Sequence, residues 1–403
     1  MQRNFATAID MKNLLDFDRA AMEAEFVAAG HQAFRARQVM KWIYHLGVTD
    51  FERMTNLSKV QRAWLAENYQ VKLPEVAESR LSKDGTRKWS IRLESGELVE
   101  TVMIPEGARR TLCVSSQVGC MLDCSFCATG KQGFNGNLST GQIVGQIIIA
   151  NAEMAAAGDE RGVTNVVLMG MGEPLLNFDA VLRATDLMID DLAFGLAKRR
   201  VTVSTAGVVP GIRKLTQHSE VALAISLHAP NDELRDELVP INRKYPIESL
   251  LDACRDYLEV LGERRSITVE YTLIKDVNDS LKHARELARL MRSLRCKINL
   301  IPFNPFPGSG YERPSDVAVR DFQTYLINHG HPAMLRTTRG EDIEAACGQL
   351  VGQVADRTKR QARYRARPVP VGLPQRIAVT EMAEVGEAEI AQLDRVRQDN
   401  TGV

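Results

Sequence analysis

Three cysteines crowded into eight residues are the strongest chemical signal in the sequence. Cys120, Cys124 and Cys127 follow the spacing C-x3-C-x2-C. Three thiolates this close together in a loop can hold a soft metal centre. Structural zinc takes four ligands, usually from two C-x2-C-type pairs, and no second pair occurs in this chain. An iron–sulfur cubane held by only three cysteines has one iron left open for another ligand.

Polar residues also follow several predicted strands at the points where those strands end. Residues 165–174 read as a strand that runs into a glycine-rich turn at Gly172 and Glu173. A dinucleotide-binding interpretation of this turn is weak, because Leu175 stands at the third glycine position of G-x-G-x-x-G. The other polar strand ends are Ser204, the group Ser226, Leu227 and His228, and Asn304. Such residues are often functional on βα architectures, although each alone is more often a turn-former.

Two isolated cysteines lie outside this cluster. Cys113 falls within a predicted strand, and Cys347 falls at the end of a short helix predicted from Glu341. For a lone cysteine, packing in the core is the usual role. Spacing alone therefore assigns neither cysteine a chemical role, and Glu100 is indistinguishable from an exposed carboxylate on a strand.

The elements that must position these residues alternate between strands and helices from residue 111 onwards. Each predicted strand is followed by a helical pattern, which indicates parallel βα units. The six strands are predicted at 112–116, 165–169, 201–204, 221–227, 267–273 and 297–301. Six units are fewer than the eight that close a triosephosphate-isomerase-type barrel. The clustered cysteines follow the first strand, at the carboxyl end where such sheets place their sites.

The sequence divides into four predicted parts. Residues 1–87 form an N-terminal helical domain that contacts RNA, and residues 88–110 form a β-hairpin extension. Residues 111–352 form the βα barrel with a C-terminal extension. Residues 353–403 form a basic segment and an acidic tail that we expect to be disordered, because the tail has few apolar residues.

Composition and charge place the chain among ordinary globular proteins. Of its 403 residues, 44% are hydrophobic and 25% are charged, which excludes disordered, collagen-like and membrane-embedded classes. The 51 Lys and Arg residues balance the 51 Asp and Glu residues. A net charge of zero does not exclude nucleic-acid binding, because binding depends on how the charge is distributed. Residues 30–90 carry 11 basic against 6 acidic residues, which suits phosphate contact or simply a solvated helix surface. The sequence shows no secretory signal or membrane span, so we expect a cytoplasmic protein.

The cysteine motif, with Phe126 before its last cysteine, resembles the signature of radical S-adenosylmethionine (SAM) enzymes. Over residues 15–368 the chain resembles one family among them more closely, the dual-specificity rRNA/tRNA adenine-C2 methyltransferases. The motifs that carry this likeness are LVETV at 98–102, TLCVSSQVGC at 111–120, GFN at 133–135, GMGEP at 170–174, NLIPFNP at 299–305 and RGEDIEAACGQL at 339–350. The resemblance implies an α/β fold, namely a partial (β/α)6 radical-SAM barrel with an N-terminal helical accessory domain.

The resemblance also implies the cofactors. One 4Fe–4S cluster is expected on Cys120, Cys124 and Cys127, with its open iron bound by SAM. Two SAM molecules are expected to be used per turnover. The residues expected to contact SAM are Gly172, Glu173, Ser204, Ser226, Leu227, His228 and Asn304.

The family chemistry gives the two isolated cysteines a purpose, because an aromatic C2–H is not a nucleophile. In the family's reaction, as the resemblance implies it, a first SAM would methylate Cys347, and a second would be cleaved to a radical that takes a hydrogen from the S-methyl group. The resulting carbon radical adds to adenine C2, which ties the RNA to Cys347. By their places in the family motifs, Glu100 would remove the C2 proton, and Cys113 would attack Cys347 to release the product, leaving a disulfide that must be reduced.

The implied substrates are one adenosine in the peptidyl-transferase centre of 23S rRNA and the adenosine 3′ of the anticodon, position 37, in some tRNAs. We further expect an electron donor such as flavodoxin, no membrane partner and a monomeric protein. The nearest alternative is the sister family that methylates adenine C8, whose members share the cluster and both extra cysteines. A non-catalytic iron–sulfur or zinc RNA-binding protein is the alternative of a different class. The Gly-Glu-Pro turn and the polar strand ends argue against it.

Overall fold

A computed structural model describes residues 11–355, 357 and 360 of the chain. All of them lie in the first of the two units into which the chain divides, Met1–Pro368. The predicted acidic tail and most of the predicted basic segment lie outside the described residues. Within the described part of the chain, no helix is long and apolar enough to cross a bilayer.

Three helices and two short strands build the N-terminal module, residues 11–70. They are Lys12–Asn13 (β1), Arg19–Ala28 (α1), Ala33–Met40 (α2), Lys59–Asn68 (α3) and Tyr69–Gln70 (β2). Asp18 caps α1, and Ser58 forms a capping box at α3, so side-chain oxygens satisfy the free amides of both helix starts. Phe26 packs edge-on against Trp64, with ring centroids 5.1 Å apart, which joins α1 to α3. The predicted helical character of this region is confirmed.

The rest of the described chain begins with a run of strands, and helices separate the strands from residue 117 onwards. The strands are Glu75–Leu81 (β3), Arg87–Arg92 (β4), Leu98–Glu106 (β5), Arg109–Cys113 (β6), Gln117–Gly119 (β7), Phe134–Asn137 (β8), Asn165–Leu168 (β9), Val201–Thr205 (β10), Ala222–Ser226 (β11), Ile267–Leu273 (β12), Cys296–Pro302 (β13) and Ala333–Leu335 (β14). The helices are Ala128–Gln132 (α4), Thr140–Ala156 (α5), Phe178–Ile189 (α6), Val209–His218 (α7), Asp232–Leu238 (α8), Ile247–Leu261 (α9), Leu281–Leu290 (α10) and Asp316–Asn328 (α11).

Ten of these strands form one sheet, in the order β14-β13-β12-β11-β10-β9-β6-β5-β4-β3. The strands from β6 to β14 in this sheet run parallel, whereas β3, β4, β5 and β6 pair antiparallel. The six predicted parallel strands and the hairpin β4–β5 are therefore confirmed, and β14 extends the parallel part. The first parallel strand covers 109–113 rather than the predicted 112–116. Strand β3 was not predicted, because its side chains are mostly exposed and show no alternation.

The helix predicted from Glu341 is wrong. Only a single 3-10 turn forms, Glu341–Ile343, between Gly340 and Glu344, whose φ angles are 62° and 52°. Left-handed backbone on both sides of three residues stops a helix from continuing. Cys347 therefore lies in a turn and not at the end of a helix.

Candidate active site

The three clustered cysteines lie on the segment between β7 and α4. Cys120 follows β7 directly, and Cys127 directly precedes α4. All three are free thiols, partly buried against the core. Burial raises the pKa of Cys120 to about 12 and that of Cys124 well above its ordinary value, and the charge of Cys127 adds to both increases. The three thiols are thus close enough to interact, and each is held in its protonated form when nothing ligates it.

This donor set fits an iron–sulfur cluster. Within the described residues, no group of three or more His, Cys, Asp or Glu side chains is arranged to hold a single metal ion. Soft sulfur donors are the ligands of iron–sulfur clusters, each iron takes its own thiolate, and ligation removes the thiol proton. Three cysteines on one segment are therefore suited to a multi-iron centre.

Two residues from distant parts of the chain, Arg360 and Tyr311, hold the segment that carries the cysteines. The Arg360 guanidinium donates hydrogen bonds to Cys120 O at 3.2 Å and to Gly130 O at 2.9 Å. The Tyr311 hydroxyl donates to Ser125 Oγ at 2.9 Å. Arg360 belongs to the predicted basic segment, so at least this residue of the segment supports the site itself.

The glycine-rich turn after β9 packs directly on the strand that leads into the cysteines. Gly172 has a φ of 98°, and a Cβ there would lie 2.4 Å from Gln117 Cβ, so only glycine fits. Gln117 Oε1 accepts a hydrogen bond from Glu173 N at 2.8 Å. The buried Glu173 carboxylate accepts hydrogen bonds from Ala206 N at 2.8 Å and Leu175 N at 3.2 Å. Burial raises the pKa of Glu173 to about 7, so a cationic group beside it would favour its ionised form.

A buried arginine ties together the ends of β10 and β11. Arg235 on α8 donates hydrogen bonds to Ala206 O at 2.6 Å, Leu227 O at 3.0 Å and Ser226 O at 3.1 Å. Leu227 N donates to Glu270 O at 3.0 Å, and the Leu227 side chain is fully buried in the core. Both backbone polar groups of Leu227 are thus used within the protein. Arg235 therefore fixes two strand ends at which SAM contacts were predicted.

Ser204 and His228 lie at the ends of the same two strands. Ser204 of β10 is buried and pairs in register with Ala224 of β11. His228 Nδ1 accepts a hydrogen bond from Thr272 N at 3.0 Å, which leaves the ring proton on Nε2. Burial lowers the pKa of His228 to about 3, and the ring packs edge-on against Phe126 at 4.6 Å. A neutral imidazole therefore connects the cysteine segment to β12.

Cys347 and Cys113, which are far apart in the sequence, are neighbours in the fold. Asn304 Nδ2 donates a hydrogen bond to Cys347 O at 3.2 Å, and Gly348 O accepts one from Ala128 N at 2.9 Å. Burial raises the pKa of Cys113 to about 12, and the charge of Cys347 adds to this rise. Asn304, predicted to contact SAM, thus holds the turn that carries Cys347 in place.

Glu100 is buried rather than exposed, and both of its carboxylate oxygens are paired. Lys88 Nζ lies 3.0 Å from Oε1, and Val351 N donates to Oε2 at 2.8 Å. Lys88 Nζ also donates to Glu344 O at 3.2 Å. Burial raises the pKa of Glu100, and the charge of Lys88 opposes this rise. The ion pair therefore holds the segment that carries Cys347 at both ends.

Three basic residues of this region were not predicted from the sequence to belong to the site. Lys88 was only one of the basic residues of the N-terminal region, and Arg235 lies in a polar stretch without a motif. Arg336 follows β14 directly, and its charge interacts with Cys347 and Cys113. The signal that selected Ser204, a polar residue closing an apolar strand, could have found Arg336 as well.

Two family models match the chain. Residues 12–71 match the ribosomal RNA large subunit methyltransferase N-terminal domain, and residues 114–288 match the radical SAM superfamily. Both ranges coincide with parts of the fold described above, the N-terminal helical module and the parallel strands with the cysteine segment.

Relatives cover most of the chain. The dual-specificity RNA methyltransferases RlmN of Pseudomonas fluorescens (strain SBW25) and Pseudomonas putida (strain GB-1) are each 58% identical over 356 residues, which is 88% of this chain and 93% of those proteins. Among solved structures, a radical SAM methyltransferase from Sphaerobacter thermophilus aligns with a TM-score of 0.78 and 44% identity, covering 84% of this chain and 99% of that one. Fold and sequence therefore point to the same group of enzymes.

Proposed function

This chain belongs to the RlmN family of dual-specificity RNA methyltransferases, and from this premise we propose its reaction. We propose that it methylates C2 of adenosine in both rRNA and tRNA. Membership in the family makes the chain a radical-SAM RNA methyltransferase. The proposed targets are an adenosine of the 23S rRNA peptidyl-transferase centre and adenosine 37 of some tRNAs. The observation that carries the proposal is that Cys347 lies close enough to Cys113, and to Cys127 of the cysteine segment, for their charges to interact.

The family requires a 4Fe–4S cluster and SAM, and we propose which residues hold them. Cys120, Cys124 and Cys127 would ligate three irons, leaving the fourth for SAM. Glu173 would accept hydrogen bonds from the SAM amino group, because the positive charge of that group would stabilise the ionised form of the buried carboxylate. When bound and reduced, the cluster would supply the electron that cleaves SAM. Ser204, Ser226, Leu227, His228 and Asn304 stay predicted SAM contacts, and two SAM molecules per turnover stay a prediction.

In the proposed reaction Cys347 carries the methyl group and Cys113 releases the product. The Cys347 thiolate attacks the methyl group of SAM in a first displacement, because sulfur is a good nucleophile and adenine C2 is not. Cys113 is buried, and its raised pKa keeps it protonated, so it does not compete for the methyl group. Once the carbon of the S-methyl group has bonded to C2 and the adduct has lost one electron and the C2 proton, the Cys113 sulfur attacks the Cys347 sulfur. The bond between the Cys347 sulfur and that carbon breaks, and its electron pair, together with the proton of the Cys113 thiol, completes the methyl group on C2, while the two sulfurs form a disulfide.

Glu100 is the proposed acceptor of the proton that leaves C2. Its raised pKa, a result of burial, improves its ability to take a proton. Lys88 and Val351 N occupy its oxygens, so we infer that one of these hydrogen bonds gives way when the base enters. Because the same ion pair holds the Cys347 segment, the proton acceptor and the methyl carrier are positioned together.

The RNA substrates are proposed to contact the N-terminal module as well as the barrel. Arg37 and Lys41 are exposed on or beside α2, while Arg35 is half-buried, and Arg37 also pairs with Glu23 at 2.7 Å. An electron donor such as flavodoxin, a monomeric state and a cytoplasmic location stay predictions.

Mass spectrometry of nucleosides tests the proposed function directly. The reconstituted enzyme, SAM and a reductant are incubated with 23S rRNA fragments and with tRNA lacking this modification. We expect 2-methyladenosine in both RNAs. Exclusive 8-methyladenosine would assign the chain to the chemistry of the sister family, and unmodified RNA despite SAM cleavage would refute the proposal.

Neutralising Arg35 and Arg37 of α2 together with Lys41, which directly follows α2, should weaken RNA binding without changing its sequence preference. Phosphate contacts release counterions, so removing one basic side chain from a phosphate should flatten the slope of log K against log salt by about one. We expect Arg35→Gln, Arg37→Gln and Lys41→Gln combined to reduce affinity for all RNAs to a similar extent. Filter binding over a range of salt concentrations measures both quantities.

A matched control variant removes three positive charges from a helix outside the N-terminal module. Lys282, Arg285 and Arg289 are exposed on α10, which lies outside the N-terminal module. Their replacement by glutamine should leave the salt slope near that of the wild type. Equal slopes in the wild type and both triple variants would show that the α2 residues are only a solvated surface.

A further inference from the structure

One buried acidic residue of the barrel, Glu270, has no role in the proposed reaction. On β12, Val269 and Tyr271 are fully buried, and the Tyr271 ring packs on Phe322 of the outer helix α11. Side chains alternate along a strand, so Glu270 points to the opposite side, into the lumen that the parallel strands surround. Its side chain is nevertheless almost fully buried, with 3% exposure.

Glu270 has one carboxylate oxygen without a partner. Asn299, which lies opposite it in the β12–β13 pair, donates a hydrogen bond from Nδ2 to Oε1 at 2.9 Å. Oε2 is buried and accepts no hydrogen bond from any described residue. Leaving a buried acceptor unpaired costs free energy, so such an atom in a native site usually has a partner. The oxygen therefore points to a ligand that donates a hydrogen bond.

Arg336, which directly follows β14, connects Glu270 to the two reacting cysteines. The Arg336 guanidinium interacts electrostatically with Cys347, Cys113 and Glu270. The Glu270 carboxylate and both thiols therefore lie within range of the charge of one guanidinium group. Burial raises the pKa of Glu270, but Arg336 and the amide of Asn299 both favour its ionised form, which accepts hydrogen bonds and donates none.

We propose that Glu270 Oε2 accepts a hydrogen bond from the 6-amino group of the target adenine and so selects adenine among the purines. This assignment rests on the proposed function, because that function brings an adenine to the cysteines. The carbonyl oxygen at position 6 of guanine or hypoxanthine is an acceptor, and two acceptors would then face each other. The adenine of SAM carries the same amino group, so the test must separate the two sources.

Removing the amino group from the RNA tests the assignment on the unaltered enzyme. In a substrate with purine riboside at the target position, C2–H is present and the 6-amino group is absent. We expect kcat/KM to fall by about tenfold to a hundredfold, because the Glu270 oxygen is left unpaired. Undiminished methylation of this RNA would overturn the proposal whether or not any variant folds.

Glu270→Gln supplies the matched change on the protein. The amide retains the shape and can still accept from Asn299, but it presents a donor in place of Oε2. The loss on adenine should match the loss that purine riboside causes in the wild type, and the two losses should not add, as expected for two halves of one contact. Inosine at the target position, whose O6 accepts a hydrogen bond, should be methylated better by Glu270→Gln than by the wild type.

The SAM dissociation constant separates the two adenines. If Glu270 reads the RNA base, Glu270→Gln should bind SAM as the wild type does. Weaker SAM binding together with additive losses on the two RNAs would show that Glu270 contacts the cofactor, which overturns the proposal. A wild type that methylates neither nucleoside would instead refute the proposed function on which the assignment rests.

Discussion

Replacing Cys113 by alanine is expected to trap the RNA on the protein. In the proposed reaction the base becomes covalently tied to Cys347, and Cys113, whose charge interacts with that of Cys347, is the thiol proposed to attack that sulfur. Cys113→Ala should therefore form the adduct and then stop, whereas Cys347→Ala should form no adduct and no methylated base. The measurement is a denaturing gel of each variant after turnover with labelled RNA. We expect a protein–RNA band in Cys113→Ala and multiple-turnover activity below detection in both variants.

The two variants differ from each other in a way that general damage to the fold would not produce. Cys347→Ala should keep its iron content and still cleave SAM under reduction, because Cys347 lies outside the segment 120–127. Cys296→Ala is the control, since Cys296 begins β13 at the end opposite the site, and it should methylate RNA normally. If neither variant traps RNA and Cys347→Ala still methylates adenine, then Cys347 is only a packed residue and the methyl carrier lies elsewhere.

A strand or helix could be predicted from the sequence wherever its buried residues form a regular pattern along the chain. The predicted limits of β12, 267–273, agree with the structure, because buried residues dominate this strand from end to end. Strand β3 could not be predicted, because its exposed side chains leave no periodic signal. The helix expected near Cys347 failed for another reason, since the backbone at Gly340 and Glu344 is set by contacts with distant segments.

Parts of the candidate site could be predicted where the residue type alone indicates the chemistry. The other parts could not, because the role of a side chain there depends on which residue it pairs with in the fold. Three thiols within eight residues predict a metal centre without any knowledge of the fold. Glu100 reads as a surface carboxylate until the fold places Lys88 3.0 Å away. Glu270 lies inside a strand with no motif around it, and only the missing partner of Oε2 marks it. Such information arises from long-range contacts, which a linear pattern does not contain.

Replacing any one of the clustered cysteines is expected to abolish the iron–sulfur centre and every reaction that depends on it. Three thiolates are the fewest ligands that hold a cubane while one iron binds SAM, so no spare ligand exists. Cys120→Ala, Cys124→Ala and Cys127→Ala should each lose the brown chromophore and all reductive cleavage of SAM. Iron and sulfide analysis, the absorption spectrum and an assay for cleaved SAM measure these losses.

The state of the free thiols adds a second, independent readout. Burial raises the pKa of all three cysteines, so binding iron must displace their protons. Reconstitution of the wild type should therefore release protons and become less complete as the pH falls. Cys296→Ala should match the wild type in iron content, because its thiol begins β13 and is not part of the cluster segment. Wild-type iron content in any of the three cluster variants would contradict the ligand assignment, since two thiolates from this segment would then suffice.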